Sequence, residues 1–412
     1  MDIPIPGPVI LDGATGTQLY RLGASEGICL EQWALDHPQT LLELQRGYLS
    51  AGSQILLTPT FGANAPRLEQ WGLEDRVEDL NRRLARLTRT AADGRARVAG
   101  DLGPAGLTLE PFGENSFEAL VEIYARQASA LADQVDLFYV ETMCSMAEAR
   151  AAVLAVRQVS DKPVWVSFTC DDEGRTPAGT DVLAALIVMQ GMGVSAFGLN
   201  CGQGPEAMLE QLERMTPYAN IPLIAKPSAG LPQGGGAGAV YPVTPAELAT
   251  WAAPFARAGV RMFGGCCGTG PEHIAALARA VQAVDFSAFT PPPRDPDVIP
   301  CASEKEARFI TPDVDVGEVI ECSPDLLEDI LEAEENCPQG ALKIAIYEED
   351  DVDMFAENQY AVKDALCLIS DVPELLEKAL RVYQGRAFWD GTEELEPEFL
   401  ARMRRTYGLV LL

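Results

Sequence analysis

Eight short apolar runs, at residues 9–11, 55–57, 98–100, 137–140, 164–168, 196–199, 223–225 and 260–263, recur through the first two thirds of the chain. This rhythm restricts the fold more than any other feature. Amphipathic stretches with helical period lie between the runs, for example at 38–51, 116–134, 146–158, 181–192 and 205–215. Eight βα units in about 280 residues is the count and size of a (β/α)8 TIM barrel. The runs are apolar almost throughout, as strands of a parallel sheet buried on both faces must be. A doubly wound open sheet competes, but it has no need of an eighth strand.

Each run gives way at once to small or polar residues. These stretches are Asp12-Gly13-Ala14-Thr15-Gly16-Thr17, Thr58-Pro59-Thr60-Phe61-Gly62, Asp101-Leu102-Gly103-Pro104, Glu141-Thr142-Met143, Thr169-Cys170, Asn200-Cys201-Gly202, Lys226-Pro227-Ser228-Ala229-Gly230 and Gly264-Gly265-Cys266-Cys267-Gly268-Thr269. In a barrel all of them are read as loops of the C-terminal rim, where active sites are built. Cys201 after the sixth strand and Cys266-Cys267 after the eighth can therefore converge. Three thiolates with one open position suit a catalytic zinc rather than a structural one. They also suit activation of a further thiol, because zinc deprotonates a coordinating thiol outright.

Pro291-Pro292-Pro293-Arg294-Asp295-Pro296 reads as a stiff linker. The expected division is a barrel over 1–290, a proline-rich linker over 291–300 and an acidic C-terminal domain over 301–412. That domain has apolar runs at 342–346 and 365–369 and amphipathic stretches at 324–334 and 373–383, which predicts a folded α/β or α+β unit. The formal charge of −30 argues against nucleic acid or an anionic membrane as partner. The start of the chain lacks a basic segment followed by an apolar core, and no apolar run approaches the roughly 20 residues needed to span a bilayer. Ten scattered cysteines do not make a disulfide framework, so a cytoplasmic setting is expected. Cys29, Cys144, Cys170, Cys301, Cys322, Cys337 and Cys367 read as core or incidental. His37 and His273, the only histidines, read as structural. Gly234-Gly235-Gly236 lacks the Lys-Ser/Thr of a phosphate loop.

Asp12-Gly13-Ala14-Thr15-Gly16-Thr17, Asn200-Cys201-Gly202 and Gly264-Gly265-Cys266-Cys267-Gly268-Thr269, in this order and spacing, resemble the homocysteine S-methyltransferase family. Within it, Thr58-Pro59-Thr60-Phe61-Gly62-Ala63-Asn64 and Lys226-Pro227-Ser228-Ala229-Gly230-Leu231-Pro232 resemble the homocysteine module of cobalamin-dependent methionine synthase. The resemblance implies zinc on Cys201, Cys266 and Cys267. It also implies homocysteine bound through Asp12 and Glu141, which suit its ammonium. The backbone of Gly13, Ala14, Thr15, Gly16 and Thr17 suits its carboxylate. Asn200 is expected to support the metal loop. Ser228 stands where the family carries Asn, and its oxygen is a possible further ligand. No Asp-x-His-x-x-Gly cobalamin signature occurs, so the implied methyl donor is methylcobalamin on a separate corrinoid protein. The alternatives are S-methylmethionine or betaine as donor, another thiol as acceptor, and a non-enzymatic zinc-binding assembly subunit.

Overall fold

The computed structural model describes residues 7–235, 239–290, 292–336 and 340–412. All eight expected strands form: β1 (Val9–Ile10), β2 (Ile55–Leu57), β3 (Arg97–Leu102), β4 (Leu137–Met143), β5 (Val164–Phe168), β6 (Ala196–Cys201), β7 (Leu223–Pro227) and β8 (Val260–Phe263). They make one parallel sheet in the order β1-β8-β7-β6-β5-β4-β3-β2. Strands wound in sequence order with helices between them are the TIM barrel. At the seam, Gln54 N–H donates to Ile10 O (2.7 Å) and Ile10 N–H to Gln54 Oε1 (2.9 Å), while Leu57 N–H donates to Asp12 Oδ2 (2.8 Å).

The two-residue period of a strand sorts the core into two clusters. Leu11, Ile55, Leu57, Ala99, Leu137, Tyr139, Trp165, Ala196, Ile224 and Met262 fill the interior. Their neighbours Val98, Phe138, Val140, Val166, Phe197 and Ala225 pack outward with the helices. Continued toward the rim, the same count makes Asp101, Glu141, Ser167, Asn200 and Lys226 the next inward layer, and all five are buried or at the edge of burial.

One expectation needs correction. Asp101, Glu141, Thr142, Asn200, Cys201 and Lys226 were read as loop residues, but they lie within strands. Ladder hydrogen bonds are made by the backbone, so a strand continues past the point where its side chains turn polar. These side chains are thus mounted on the sheet itself.

Beyond the barrel, β9 (Ile299–Ala302) and β10 (Ala307–Ile310) form an antiparallel hairpin, which begins inside the stretch read as linker. Strands β11 (Val319–Glu321), β12 (Ala341–Ala345), β13 (Ala365–Ile369), β14 (Phe388–Trp389) and β15 (Val410–Leu411) form a parallel sheet in sequence order, so this region is α/β. Cys301 and Ile310 of the hairpin share a core with Ala341, Cys367 and Phe388. The region is clamped to the barrel by Arg150, on the helix Met146–Val159 and fully buried. Its guanidinium donates to Leu380 O (2.9 Å), Arg381 O (3.1 Å) and Gln384 Oε1 (3.2 Å). The two carbonyls lie at the C-terminal end of the helix Pro373–Val382, where the helix dipole favours a cation. Arg175 pairs with Glu306 (2.9 Å) and Arg381 with Glu118 across the same boundary. No described helix is long and apolar enough to cross a membrane.

Candidate active site

Cys201 ends β6, and Cys266 and Cys267 follow β8. Their sulfur atoms all lie within 4.8 Å of one another, with Cys201 Sγ and Cys267 Sγ 3.8 Å apart. Tetrahedral zinc with bonds of about 2.3 Å has sulfur-to-sulfur edges of about 3.8 Å, so this donor set fits that metal. The main chain sets the geometry. Gly264 N–H donates to Ala225 O (3.0 Å), Gly265 N–H to Asp12 O (3.1 Å) and Cys266 N–H to Pro227 O (2.9 Å). The loop is therefore stitched to β7 and to the end of β1. A Cβ on Gly265 would sit 2.4 Å from Thr269 Oγ1, so only glycine allows this approach. Cys201 has a left-handed backbone, φ 61°, a strain of roughly 1–2 kcal/mol for a residue with a Cβ.

Asn200 holds this arrangement. Its Oδ1 accepts from Thr142 N–H (2.9 Å) and Ser167 Oγ (2.7 Å), and its Nδ2 donates to Thr142 Oγ1 (2.6 Å) and Cys266 Sγ (3.6 Å). Asn200 thus lies within hydrogen-bond reach of a cysteine sulfur. Ser228 is buried and its hydroxyl donates to Cys201 Sγ (3.6 Å). The Tyr241 hydroxyl, which the sequence reading did not pick out, is hydrogen-bonded to Cys267. The three thiols share protons. Hydrogen bonds from Cys266 and Cys267 pull the Cys201 thiol far below its ordinary range, and the same bonding pushes the other two up. Metal binding has to displace the thiol protons, so affinity rises with pH.

Below the sulfurs lies the polar inward layer. Lys226 Nζ pairs with Glu141 Oε2 (2.8 Å) and stands 5.0 Å from the centre of the Tyr139 ring. Asp12 and Asp101 are buried beside this pair, and each has an Oδ1 without a partner. Burial pushes the Asp12 carboxyl up to about 6, with Lys226 pulling the other way. A carboxyl raised by folding stabilises the fold below its unfolded value, near 4, and that contribution is lost as pH rises through 6. Asp12→Asn keeps an acceptor for Leu57 N–H and removes the titration. The metal-free variant should gain about 1–3 kcal/mol over wild type at pH 7 and nothing at pH 4. Urea unfolding at both pH values measures the difference, and an equal gain at both would contradict the burial account.

A cavity of about 300 Å³ connects these parts, lined by Gly13 to Thr17, Asp101, Glu141, Thr142, Lys226 and all three cysteines. Ala14 N–H is already engaged by Thr269 O and Oγ1, both at 3.2 Å. The neighbouring N–H groups of Thr15, Gly16 and Thr17 have no partner among the described residues. Tyr20, Leu30 and Phe61 supply an apolar lining. Both histidines are structural. His37 stacks on Trp33 (4.1 Å), and His273 accepts from Gly270 N–H and faces Val243 O, which ties two rim loops together. Cys29, Cys301 and Cys367 are buried, Cys144, Cys170 and Cys322 half-buried, and every described cysteine is free. Cys337 and Gly236 lie outside the described residues.

Comparison with known proteins agrees with this geometry. The sequence model of the family described as homocysteine S-methyltransferase matches residues 9–281. The methionine synthase of Mycobacterium leprae is 35% identical over 289 residues, 66% of this chain and 24% of that protein. That of Mycobacterium tuberculosis is 35% identical over 304 residues, 69% of this chain and 25% of that protein. The chain thus spans about a quarter of the length of these relatives. The crystal structure of the homocysteine methyltransferase MmuM from Escherichia coli, in its metallated form, superposes with a TM-score of 0.57 at 26% identity, covering 66% of this chain and 96% of that one. A match across the whole barrel, with the cysteine-bearing ends of β6 and β8 inside it, places the chain in the homocysteine S-methyltransferase family.

Proposed function

We propose that this protein transfers a methyl group to the thiol of homocysteine, giving methionine, with a zinc ion held by Cys201, Cys266 and Cys267. The observation that carries this reading is three sulfurs within 4.8 Å of one another at the wall of a cavity that also presents carboxylates and backbone N–H groups without partners among the described residues. Zinc bound there supplies a Lewis acid that makes a coordinating thiol a thiolate near neutral pH, where a free thiol of pKa about 8.5 is mostly protonated.

The chain's own residues do the rest. Asn200 donates to Cys266 Sγ, which steadies charge on that sulfur. Glu141 and Asp12 supply negative charge toward the substrate ammonium, and the N–H groups of Thr15, Gly16 and Thr17 receive its carboxylate. Tyr20, Leu30 and Phe61 narrow the mouth and keep water from the reacting sulfur. The thiolate then attacks the donor methyl carbon in line, forming the S–CH3 bond as the donor bond breaks with its electron pair.

The favoured donor is methylcobalamin on a separate corrinoid protein. Two observations support this: the relatives named methionine synthase are about four times longer than the matched segment, and the Thr58 to Asn64 and Lys226 to Pro232 stretches resemble a module that works with a carried cobalamin. S-methylmethionine or betaine is the second reading, since the Escherichia coli relative matches nearly end to end. The free thiols suit a reducing cytoplasm. The deciding test is methyl transfer to homocysteine from methylcobalamin, betaine and S-methylmethionine in parallel. Methionine from methylcobalamin alone is the expected result. Turnover with a small donor alone would overturn the donor assignment, and no methionine from any donor would overturn the function.

A further inference from the structure

Among the described acids that line the cavity, Asp101 is the one with a buried carboxyl oxygen, Oδ1, that has no partner among the described residues. Glu141 is paired with Lys226, and Glu31 accepts from Gly62 N–H (2.8 Å) and Cys29. The Asp101 main chain, by contrast, is fixed on both sides. Its N–H donates to Thr58 Oγ1 (3.0 Å), its carbonyl accepts from Thr60 Oγ1 (2.7 Å), and the two threonine hydroxyls are bonded to each other (2.6 Å). The residue is 5% exposed, and no hydrogen bond to its carboxyl forms among the described residues. A buried carboxyl held rigidly and left without a partner is costly unless a ligand completes it. Its charged neighbours are Glu141, Lys226, Asp12 and Glu31, three acids and a single cation. What this layer lacks is positive charge.

We propose that Asp101 is the principal counter-ion of the substrate's ammonium and makes the site selective for an amino thiol over the same thiol without its amine. The inference rests on the homocysteine reading and assigns a residue outside the pair, Asp12 and Glu141, that the family resemblance implies. Both of those acids are already partly engaged, Asp12 Oδ2 by Leu57 N–H and Glu141 Oε2 by Lys226, whereas Asp101 Oδ1 is buried with no partner among the described residues. Burial and then Glu141 hold the Asp101 carboxyl well above its ordinary range. An ammonium placed beside it favours the carboxylate, so any proton the carboxyl holds leaves to solvent as the ammonium binds.

The test uses zinc-loaded wild type and Asp101→Asn, titrated calorimetrically with homocysteine and with 4-mercaptobutyrate, which has the same thiol and carboxylate but no amine. Asp101→Asn should weaken homocysteine binding roughly 10- to 100-fold and leave 4-mercaptobutyrate binding unchanged. Titration in buffers of different ionisation enthalpy should show wild type releasing more protons than the variant on binding homocysteine, a readout that a structural role would not move. If Asp101→Asn does not fold, Asp101→Ser, which removes the charge and is smaller, takes its place. Equal loss of both ligands, or unaltered homocysteine affinity, would overturn the assignment alone. Wild type that binds neither thiol would overturn the homocysteine reading and this assignment with it.

Discussion

Cys266→Ser should purify as a folded barrel with less than a tenth of the zinc of wild type and no detectable methyl transfer. The fold holds Cys266 through its main chain, while its sulfur takes only a long hydrogen bond from Asn200 Nδ2 (3.6 Å) and those of the neighbouring thiols. The residue's N–H donates to Pro227 O, and its carbonyl accepts from Thr269 N–H (3.1 Å) and Thr269 Oγ1 (2.7 Å), bonds that serine retains. A serine hydroxyl stays protonated where a thiol ionises, so the variant offers two thiolates and a weak neutral oxygen. Loss of an outer partner of a metal ligand already costs about 10–100-fold in affinity, and loss of the ligand itself should exceed that. Elemental analysis for zinc, with a thermal unfolding curve for the fold, reads both halves. Stoichiometric zinc in Cys266→Ser would remove this sulfur from the metal site.

Lys226→Met should destabilise the protein more than any other single change in the polar layer, by about 3–5 kcal/mol at pH 7, the cost of breaking a buried ion pair from one side. Among the described residues Lys226 is the cation paired with Glu141 and the cation that acts most strongly on Asp12 and Asp101, and it is 2% exposed. Methionine fills much the same volume, so the loss is of charge rather than packing. Without Lys226 the Asp12 and Asp101 carboxyls, both already raised by burial, rise further. A carboxyl raised in the folded state stabilises it below the unfolded value, near 4, and that stability is lost as pH rises through the folded value. The deficit of Lys226→Met should therefore shrink as pH falls from 7 to 5. Urea midpoints at the two pH values measure it, and a deficit that does not change with pH would assign the effect to packing.

The barrel was legible because its strands are buried on both faces and read as unbroken apolar runs, and its site cysteines because paired thiols in a glycine loop have few other uses. Asp101 and Lys226 were not assigned roles because the eye stops where the apolar run stops. Counting on by two from Ala99 reaches Asp101, from Tyr139 reaches Glu141, and from Ile224 reaches Lys226, so a strand-period count carried past each run would have found the whole layer. Asp12 was read as a substrate ligand from the family resemblance and its charge. Its bond to Leu57 N–H at the β1–β2 seam depends on which strands meet when the barrel closes, which no local pattern encodes. Tyr241 was invisible for a similar reason, since it reaches Cys267 from a different rim loop. The C-terminal region was legible as folded but not as docked. Arg150 looks like an ordinary helix-surface arginine until the carbonyls of Leu380 and Arg381 are placed against it.

In the proposed site Cys201, Cys266 and Cys267 hold a zinc ion whose open position takes the substrate sulfur. X-ray absorption at the zinc edge reads this on zinc-loaded wild-type protein before and after addition of homocysteine. Three sulfur neighbours and one lighter atom are expected in the free protein, at about 2.3 Å for sulfur, and four sulfur neighbours with homocysteine bound. A sulfur count that stays at three while homocysteine binds would contradict it.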